Sequence, residues 1–476
     1  MKLFSSLEKN LEKIEKIMRS DDLSVLRLEI GSTAAALIFA KDIVDKEAIG
    51  ELILRPAAGF SGEFTEKDSV KVFLSPEKKT VETFEDLTSS VVTGEAVLVA
   101  DGIKKGFAFG LRKFEQRAIA EPPTSTVLKG PREGFVESLP VNVSMMRRKL
   151  KSEKLVFENL TAGKLSNTPI CLCYIDGVAD EKLVEALKNR INQISIDAVL
   201  DSSYVSKFLG EHKTSVFKQI GNTEKPDVLA AKILEGRVAV FVDGSPIALT
   251  APYLLIEDFQ SPSDYYGSPY SATLARLLRL LSVTLSLMLP AFFVAAELFH
   301  LQFIPLSFLL TIVNSIKGIP LSPSYEMFFT LLIFEILNEA SVRMPKYVGM
   351  VVSIVGGLVL GETAVNAGII SAPTLMIVAL SGICLYTVPE LEQTFSVIRL
   401  VFLIAAGSFG AYGLIAAVCI LMIYLISFEN YGTPLCAPYA PLIRADVKDG
   451  FIKGFLSDQT KRPASLKPTN VRRQGK

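Results

Sequence analysis

Histidine is nearly missing from this 476-residue chain, which holds only His212 and His300. Two isolated histidines make neither an H-E-x-x-H zinc motif nor a histidine-based triad. Five cysteines, at 171, 173, 384, 419 and 436, form no disulfide framework, and Cys171-x-Cys173 has no second ligand pair. Reduced, buried thiols are expected there rather than a zinc site. No Walker-A loop, G-x-G-x-x-G or G-x-S-x-G occurs. No catalytic, cofactor or metal site, no nucleic-acid partner and no enzyme activity is therefore expected. A carboxylate pair, Glu335 and Glu339 on one helix face, stays formally open as a catalytic dyad. Long apolar runs are absent before residue 280, and the start, MKLFSSLEKNLEKIEKIM, is too charged for a signal peptide. The first half of the chain is expected to remain cytoplasmic.

Charge is scarce in one region only. Formal net charge is zero, but residues 271–443 carry 6 basic and 8 acidic side chains, against 35 and 39 in residues 1–270. Residues 444–476 carry 9 basic and 3 acidic. A soluble domain the size of the middle region needs a charged surface, so lipid is its expected solvent. The sequence thus predicts an α+β soluble N-terminal half, a polytopic all-α transmembrane half, and a basic, flexible, cytoplasmic tail from Arg444.

Within the first half, GEAVLVADGIKKGFAFGLRKFEQ (94–116) aligns with GRVAVFVDGSPIALTAPYLLIED (236–258), and DKEAIGEL (45–52) with DEKLVEAL (180–187). Asp101-Gly102 and Asp243-Gly244 stand where hairpin turns belong. Two related α/β modules are expected, within 1–123 and 168–270. The offsets of the two matches, 142 and 135, differ, and acidic-apolar helix starts are common enough to match by chance. Residues 124–167 are expected to be a linker with a basic helix. Its Arg147-Arg148-Lys149 run is expected on a solvated helix face, the alternative being contact with a neighbouring subunit or lipid head groups.

In the membrane half, spans are expected at 280–299, 347–369, 372–389 and 400–428, with 301–323 re-entrant or interfacial. Arg276 and Arg279 place the start of 280–299 in the cytoplasm, and Pro290 should kink it. With both chain ends inside, the number of spans is even; six is the alternative to four. Residues 324–343 form a polar-faced helix in which Glu339 and Arg343 stand four apart and can pair. Gly349, Ser353, Gly357 and Gly361 recur every four residues, a stripe that lets another helix approach closely, between subunits or against 280–299. Glu362 and Asn366 line its polar edge. Glu362, Asn366, Glu335 and Glu339 are the candidates for a polar path or pore, the alternative for Glu362 being a helix-end carboxylate at the water interface. Gly407, Gly410 and Gly413 mark close contacts or a bend in 400–428, with Arg399 at its start.

The segment VAVFVDGSPIALTAPYLLIEDFQSPSDYYGSPY (238–270) resembles the A-subunit family of bacterial spore germinant receptors, the GerA type. GPREGF (130–135) followed by MRRKLK (146–151), QIGNTEKPD (219–227), RLLRLLSVTLSLMLPAFFVA (276–295) and SVRMPKYVGMVVSIVGGLVLGETAVNAGIIS (341–371) extend the resemblance over most of the chain. The chain departs from the family pattern at Leu301-Gln302, Asn338 and Lys218. The resemblance implies a multi-pass protein of the spore inner membrane working with a transporter-like B subunit, a lipoprotein C subunit and further copies of itself. It implies a homo-oligomer forming an ion-conducting pore gated by a nutrient germinant bound to a partner. A non-conducting scaffold relaying a signal from a transporter-like partner is the alternative. The N-terminal half, with no cofactor motif, is expected to serve assembly and signalling rather than nutrient binding.

Overall fold

Two Asp-Gly hairpins organise the N-terminal region. In the computed structural model, which describes residues 1–73, 75, 77–113, 130–344, 357, 359 and 361–473, Gly102 and Gly244 adopt φ of 82° and 86°, a turn conformation that glycine takes at little cost. Each hairpin joins the central strands of a five-stranded antiparallel sheet. The first sheet contains β1 (Leu23–Ile30), β2 (Thr33–Ala40), β3 (Lys78–Val81), β4 (Glu95–Ala100) and β5 (Gly106–Gly110), in the order β1-β2-β4-β5-β3. The second contains β6 (Leu155–Ala162), β7 (Thr168–Ile175), β8 (Gly221–Thr223), β9 (Val238–Val242) and β10 (Ala248–Ala251), in the order β6-β7-β9-β10-β8. The strand order is the same, each strand replaced by the one five later.

The helices repeat in the same way. Helix α1 (Leu7–Ile17) corresponds to α4 (Leu139–Lys149), and α3 (Phe84–Val92) to α7 (Pro226–Leu234). A short helix α2 (Lys46–Ile49) and α5 (Glu181–Asn192) both start at an aspartate cap, Asp45 and Asp180, whose side chain accepts amide hydrogens of the first turn. The hairpin aspartates act at a distance. Asp101 Oδ1 accepts from Leu7 N at 2.9 Å and Asp243 Oδ1 from Leu139 N at 3.0 Å, so each stabilises a helix start some hundred residues away in sequence. Asn10 and Asn142, both buried, close matching turns onto the backbone of Phe4 and Val136.

The second module therefore begins near Ser138, earlier than the sequence suggested. The stretch 124–167, expected to be a linker, contributes α4 and the edge strand β6 of the second sheet. Arg147 corrects the expectation of a solvated face. Its side chain is 1% exposed and paired with Asp22, itself 4% exposed, through Nε–Oδ2 and Nη2–Oδ1 bonds of 2.8 Å. It also donates to Ser20 Oγ and Ser152 O and lies 4.8 Å from the Phe157 ring centre. Arg148 and Lys149 pair with Glu133. The tail is not free either. Thr469 N donates to Val178 O, Arg462 Nε to Leu234 O, and Leu466 is buried, so residues 456–473 pack on the second module. By contacts, Met1–Tyr253, Asn430–Thr433 and Leu456–Lys476 form one unit, and Leu254–Glu429 with Pro434–Phe455 another.

The second unit is helical: α8 (Pro269–Phe299), α9 (Leu306–Ile316), α10 (Pro323–Arg343), α11 (Ala372–Leu385) and α12 (Glu392–Ser427). Helix α6 (Ser202–Leu209) belongs to the first unit. Two stretches, Pro269–Phe299 and Pro389–Ser427, are long and apolar enough to cross a membrane. Helix α8 starts eleven residues before the predicted span, and α11 stops at Leu385, short of the predicted 389. Much of 347–369 lies outside the described residues. The expected single span 400–428 is corrected by Gly410, whose φ of 62° and ψ of −146° lie where only glycine is comfortable. A Cβ on Gly413 would collide with the carbonyl oxygen of Ala405. In a straight helix those residues stand about 12 Å apart along the axis. The chain thus doubles back at Gly410. Gly407 lies beside Val294 and Gly410 under the ring of Phe299, so the first arm runs alongside α8 toward its far end. The second arm returns: Cys436 Sγ contacts Leu425 O, and Leu435 bonds Phe428 and Leu255, ahead of α8. The arms, 392–409 and 411–427, measure about 27 and 26 Å, each close to the ~30 Å hydrocarbon thickness of a bilayer.

Two outcomes follow from the first unit. Asp22→Ala strands Arg147 in a site without water and should lower unfolding stability by about 3–5 kcal/mol, read from the urea dependence of proteolysis in that unit. Asp201 caps α6; burial works against its charge, but hydrogen bonds from Ser245 and Ser203 hold its pKa at about 2. A depressed carboxyl pKa stabilises fully above the unfolded value near 3.9 and loses that contribution as pH falls toward the folded one. Asp201→Asn should flatten the fall in stability between about pH 4 and pH 2.

Candidate functional site

The helical unit is apolar on its outside and packs around Phe293, Val294, Ile312, Met327, Leu331, Ile377, Val378 and Leu403. Charge inside such a bundle is costly unless matched, which makes the charged groups found there the natural candidates for a functional site. Among the described residues two clusters of them lie between the helices of the bundle, and a third, Arg276 and Arg279 with Asp264 and Asp449, sits at the start of α8.

The first joins four helices. Arg399, on the first arm of α12, is 4% exposed in its side chain and bonds Glu335 of α10 through Nη2–Oε1 at 2.5 Å. Its Nη1 donates to Ser381 Oγ of α11 at 2.9 Å, and that hydroxyl donates to the carbonyl of Ser286 in α8 at 2.9 Å. One turn along α10, Asn338 Nδ2 donates to Glu392 Oε1 at 2.5 Å, a second tie between α10 and α12. Glu335 is 26% exposed, so the pair has one buried and one partly wetted member.

The second cluster sits at two helix starts. Glu326, in the first turn of α10, is 1% exposed. Its Oε1 accepts from both the amide and the hydroxyl of Ser371, each at 2.7 Å. Ser371 caps α11 and also meets Thr374. A carboxylate at a helix N-terminus is favoured by the free amide hydrogens and the helix dipole. Thr330 Oγ1 closes back on the carbonyl of Glu326.

Of the residues chosen from sequence, Glu335 enters the Arg399 network. Glu339 does not; it pairs with Arg343 on an exposed face. Glu362 and Asn366 are exposed on a helical stretch at 361–366 and make no hydrogen bond or ion pair among the described residues. In the small-residue stripe, Gly361 is buried, and a Cβ there would stand 3.1 Å from Leu375 of α11, a packing partner in the same chain. A Cβ on Gly357 would meet no atom of the described residues within 4 Å. Gly349 and Ser353 lie outside the described residues. The sequence choice passed over Arg399, Glu326, Ser371 and Ser381. The signal for the first two was present: each is a lone charge within a long apolar stretch. Among the described residues no group of three or more His, Cys, Asp or Glu could hold a metal ion. Cys171 and Cys173 are buried in β7, and burial pushes both thiols up.

The asymmetry of the Arg399 pair gives a testable order. Glu335→Ala leaves a buried guanidinium unmatched and should cost about 3 kcal/mol. Arg399→Ala leaves a carboxylate that is already partly exposed and reaches water, and should cost less. Thermal unfolding of the detergent-solubilised variants checks it; equal losses would count against a buried, matched Arg399.

Comparison with known proteins gives the family. Residues 9–465 match the family model described as Bacillus/Clostridium GerA spore germination protein. Spore germination protein KA of Bacillus subtilis (strain 168) is 36% identical, the match covering 99% of this chain and 88% of that protein. An uncharacterized membrane protein of the same organism, YfkQ, is 34% identical over 99% of this chain and 93% of its own. Spore germination protein GerLA of Bacillus cereus is 32% identical over 95% of each. The N-terminal domain of the A subunit of the Bacillus megaterium spore germinant receptor GerK3, solved by crystallography, is 30% identical, with a TM-score of 0.42 over 54% of this chain and 98% of that one. A match running from α1 to the tail, through both modules and the helical unit, places the chain in the GerA family of spore germination proteins.

Proposed function

We propose that this chain is the A subunit of a nutrient germinant receptor, a multi-pass protein of the spore inner membrane. In this reading α8 and both arms of α12 cross the bilayer, the chain crosses once more between α8 and α12, and the N- and C-terminal regions are cytoplasmic. The chain associates with further copies of itself, a transporter-like B subunit and a lipoprotein C subunit. Germinant binding to a partner opens an ion-conducting path through the helical units. The observation that carries this reading is the placement of Glu326, Glu335 and Arg399 inside an apolar bundle. Buried charge at membrane depth is kept where ions or protons move or where a switch is set. The Arg399–Glu335 pair and the Asn338–Glu392 bond tie α10 to α12 and suit a latch between two bundle states.

The alternative is a non-conducting scaffold that relays the signal of a transporter-like partner, favoured by Glu335 and Arg399 being spent on each other. Purified protein in liposomes separates the two, because a scaffold carries no ionic current under any condition. Glu362, exposed and without a partner among the described residues, is the candidate pore carboxylate. Glu362→Gln should change the rate of germination or of ion release several-fold at unchanged protein level. Wild-type rates in that variant would remove Glu362 from the conducting path.

A further inference from the structure

A constant shift of 132 residues relates α1 to α4 and β1 to β6, so the surfaces of the two modules can be compared position by position. The junction inside the chain uses one surface from each. The loop 20–22 of the first module lies on the outer edge of β6. Asp21 N donates to Phe157 O at 2.9 Å, Phe157 N to Ser20 Oγ at 2.9 Å, and Asn159 N to Asp21 Oδ2 at 2.8 Å. Arg147 of α4 then closes on Asp22.

The first module carries the equivalent edge. Val25 and Arg27 of β1 stand where Phe157 and Asn159 stand in β6, and Glu15 of α1 stands where Arg147 does in α4. The register agrees: Phe157 pairs with Cys173 and Val25 with Ile38, so the outward-facing backbone groups correspond. β1 is the terminal strand of its sheet, paired only with β2. The second module carries the equivalent loop, Ser152, Glu153 and Lys154. Ser152 keeps the serine of position 20, and Glu153 keeps the carboxylate of position 21. Lys154 reverses the charge of Asp22, and Glu15 reverses that of Arg147. Both members of the pair are reversed together, so their attraction is preserved.

Within one chain this second pair is not made. Glu15 and Lys154 are exposed and form no ion pair among the described residues. The modules are therefore related head to tail rather than by a two-fold axis, which would have joined both pairs. A head-to-tail contact leaves one half of the interface open at each end, for another copy to fill. We propose that β1 and α1 of one copy receive the Ser152-Glu153-Lys154 loop of a second copy, in a contact that repeats the internal junction with Glu15 and Lys154 as its ion pair. It does not depend on ion conduction.

The test uses full-length protein in nanodiscs, prepared from a mixture of unlabelled and 15N-labelled chains. A zero-length carbodiimide joins a carboxylate to an amine only when they touch. The expected product is a Glu15–Lys154 peptide pair of mixed isotope. Glu15→Lys or Lys154→Glu alone should abolish it and weaken self-association at least about tenfold, like charges facing each other. The combined Glu15→Lys, Lys154→Glu variant should restore association and the cross-link. Both side chains are exposed, so neither change threatens the fold, and circular dichroism checks that. A cross-link confined to chains of one isotope, or its absence, or a double variant no better than the single ones, would overturn the proposal. Germination supported by the unaltered protein in that case would leave the receptor reading intact.

Discussion

A guanidinium group taken out of water must find carboxylates or carbonyls in fixed positions, and in this chain three of them do so at the places where distant segments meet. Arg147 binds Asp22 and so holds the two modules of the first unit together. Arg276 binds Asp264, Asp449 and the carbonyl of Gly450, fastening residues near the end of the helical unit to the start of α8. Arg399 binds Glu335 and Ser381, joining three helices. Removing one partner of such a pair is far worse than never having had either, because the remaining charge stays buried. The arginines therefore specify which segments meet, whatever they add to net stability. Asp264 shows the effect from the acid side: burial opposes its ionisation, yet Arg279 and Arg276 with the amide of Ser261 keep its pKa below the ordinary value.

The duplication was legible because its markers are local. Asp101-Gly102 and Asp243-Gly244 announce hairpins wherever they stand, and the helix caps Asp45 and Asp180 mark helix starts by their own side chains. The extent of the second module was not legible, because the partners of α4 and β6 lie far away in sequence. The same holds for Arg147. A run of three basic residues looks solvated until Asp22, 125 positions earlier, is brought to it by the fold. In the helical unit, Glu335 was found and Arg399 was passed over, although each is half of the same pair. Their charges are 64 residues apart, and periodicity within one helix cannot report a neighbour on another.

Gly410 shows how length alone misleads. Twenty-nine uncharged residues suit one tilted span, and the three glycines within it suited a bend or close contacts. The structure makes the bend a reversal: Gly413 of the second arm lies against Ala405 of the first, while Gly407 and Gly410 lie against Val294 and Phe299 of α8. Small residues at a helix crossing permit this where leucine would hold the backbones apart. The ring of Phe299 fills the outer side of the turn. Two short arms also place Arg399 midway along the first, at the depth of Ser286 and Ser381, where its charge must be answered from within the bundle.

The tail has a consequence for the order in which the protein comes to exist. Residues 456–473 complete the second module by packing on Val178, Ala179 and Leu234. Those contacts cannot form until residues 456–473 have been made, after every helix of the intervening unit. The first module, by contrast, has all its strands once residue 110 has been made. Synthesis therefore yields a finished module, an unfinished one, and then the apolar helices, before residues 456–473 return to close what was begun about three hundred residues earlier. A chain truncated by even that short length would leave part of the second module's surface bare.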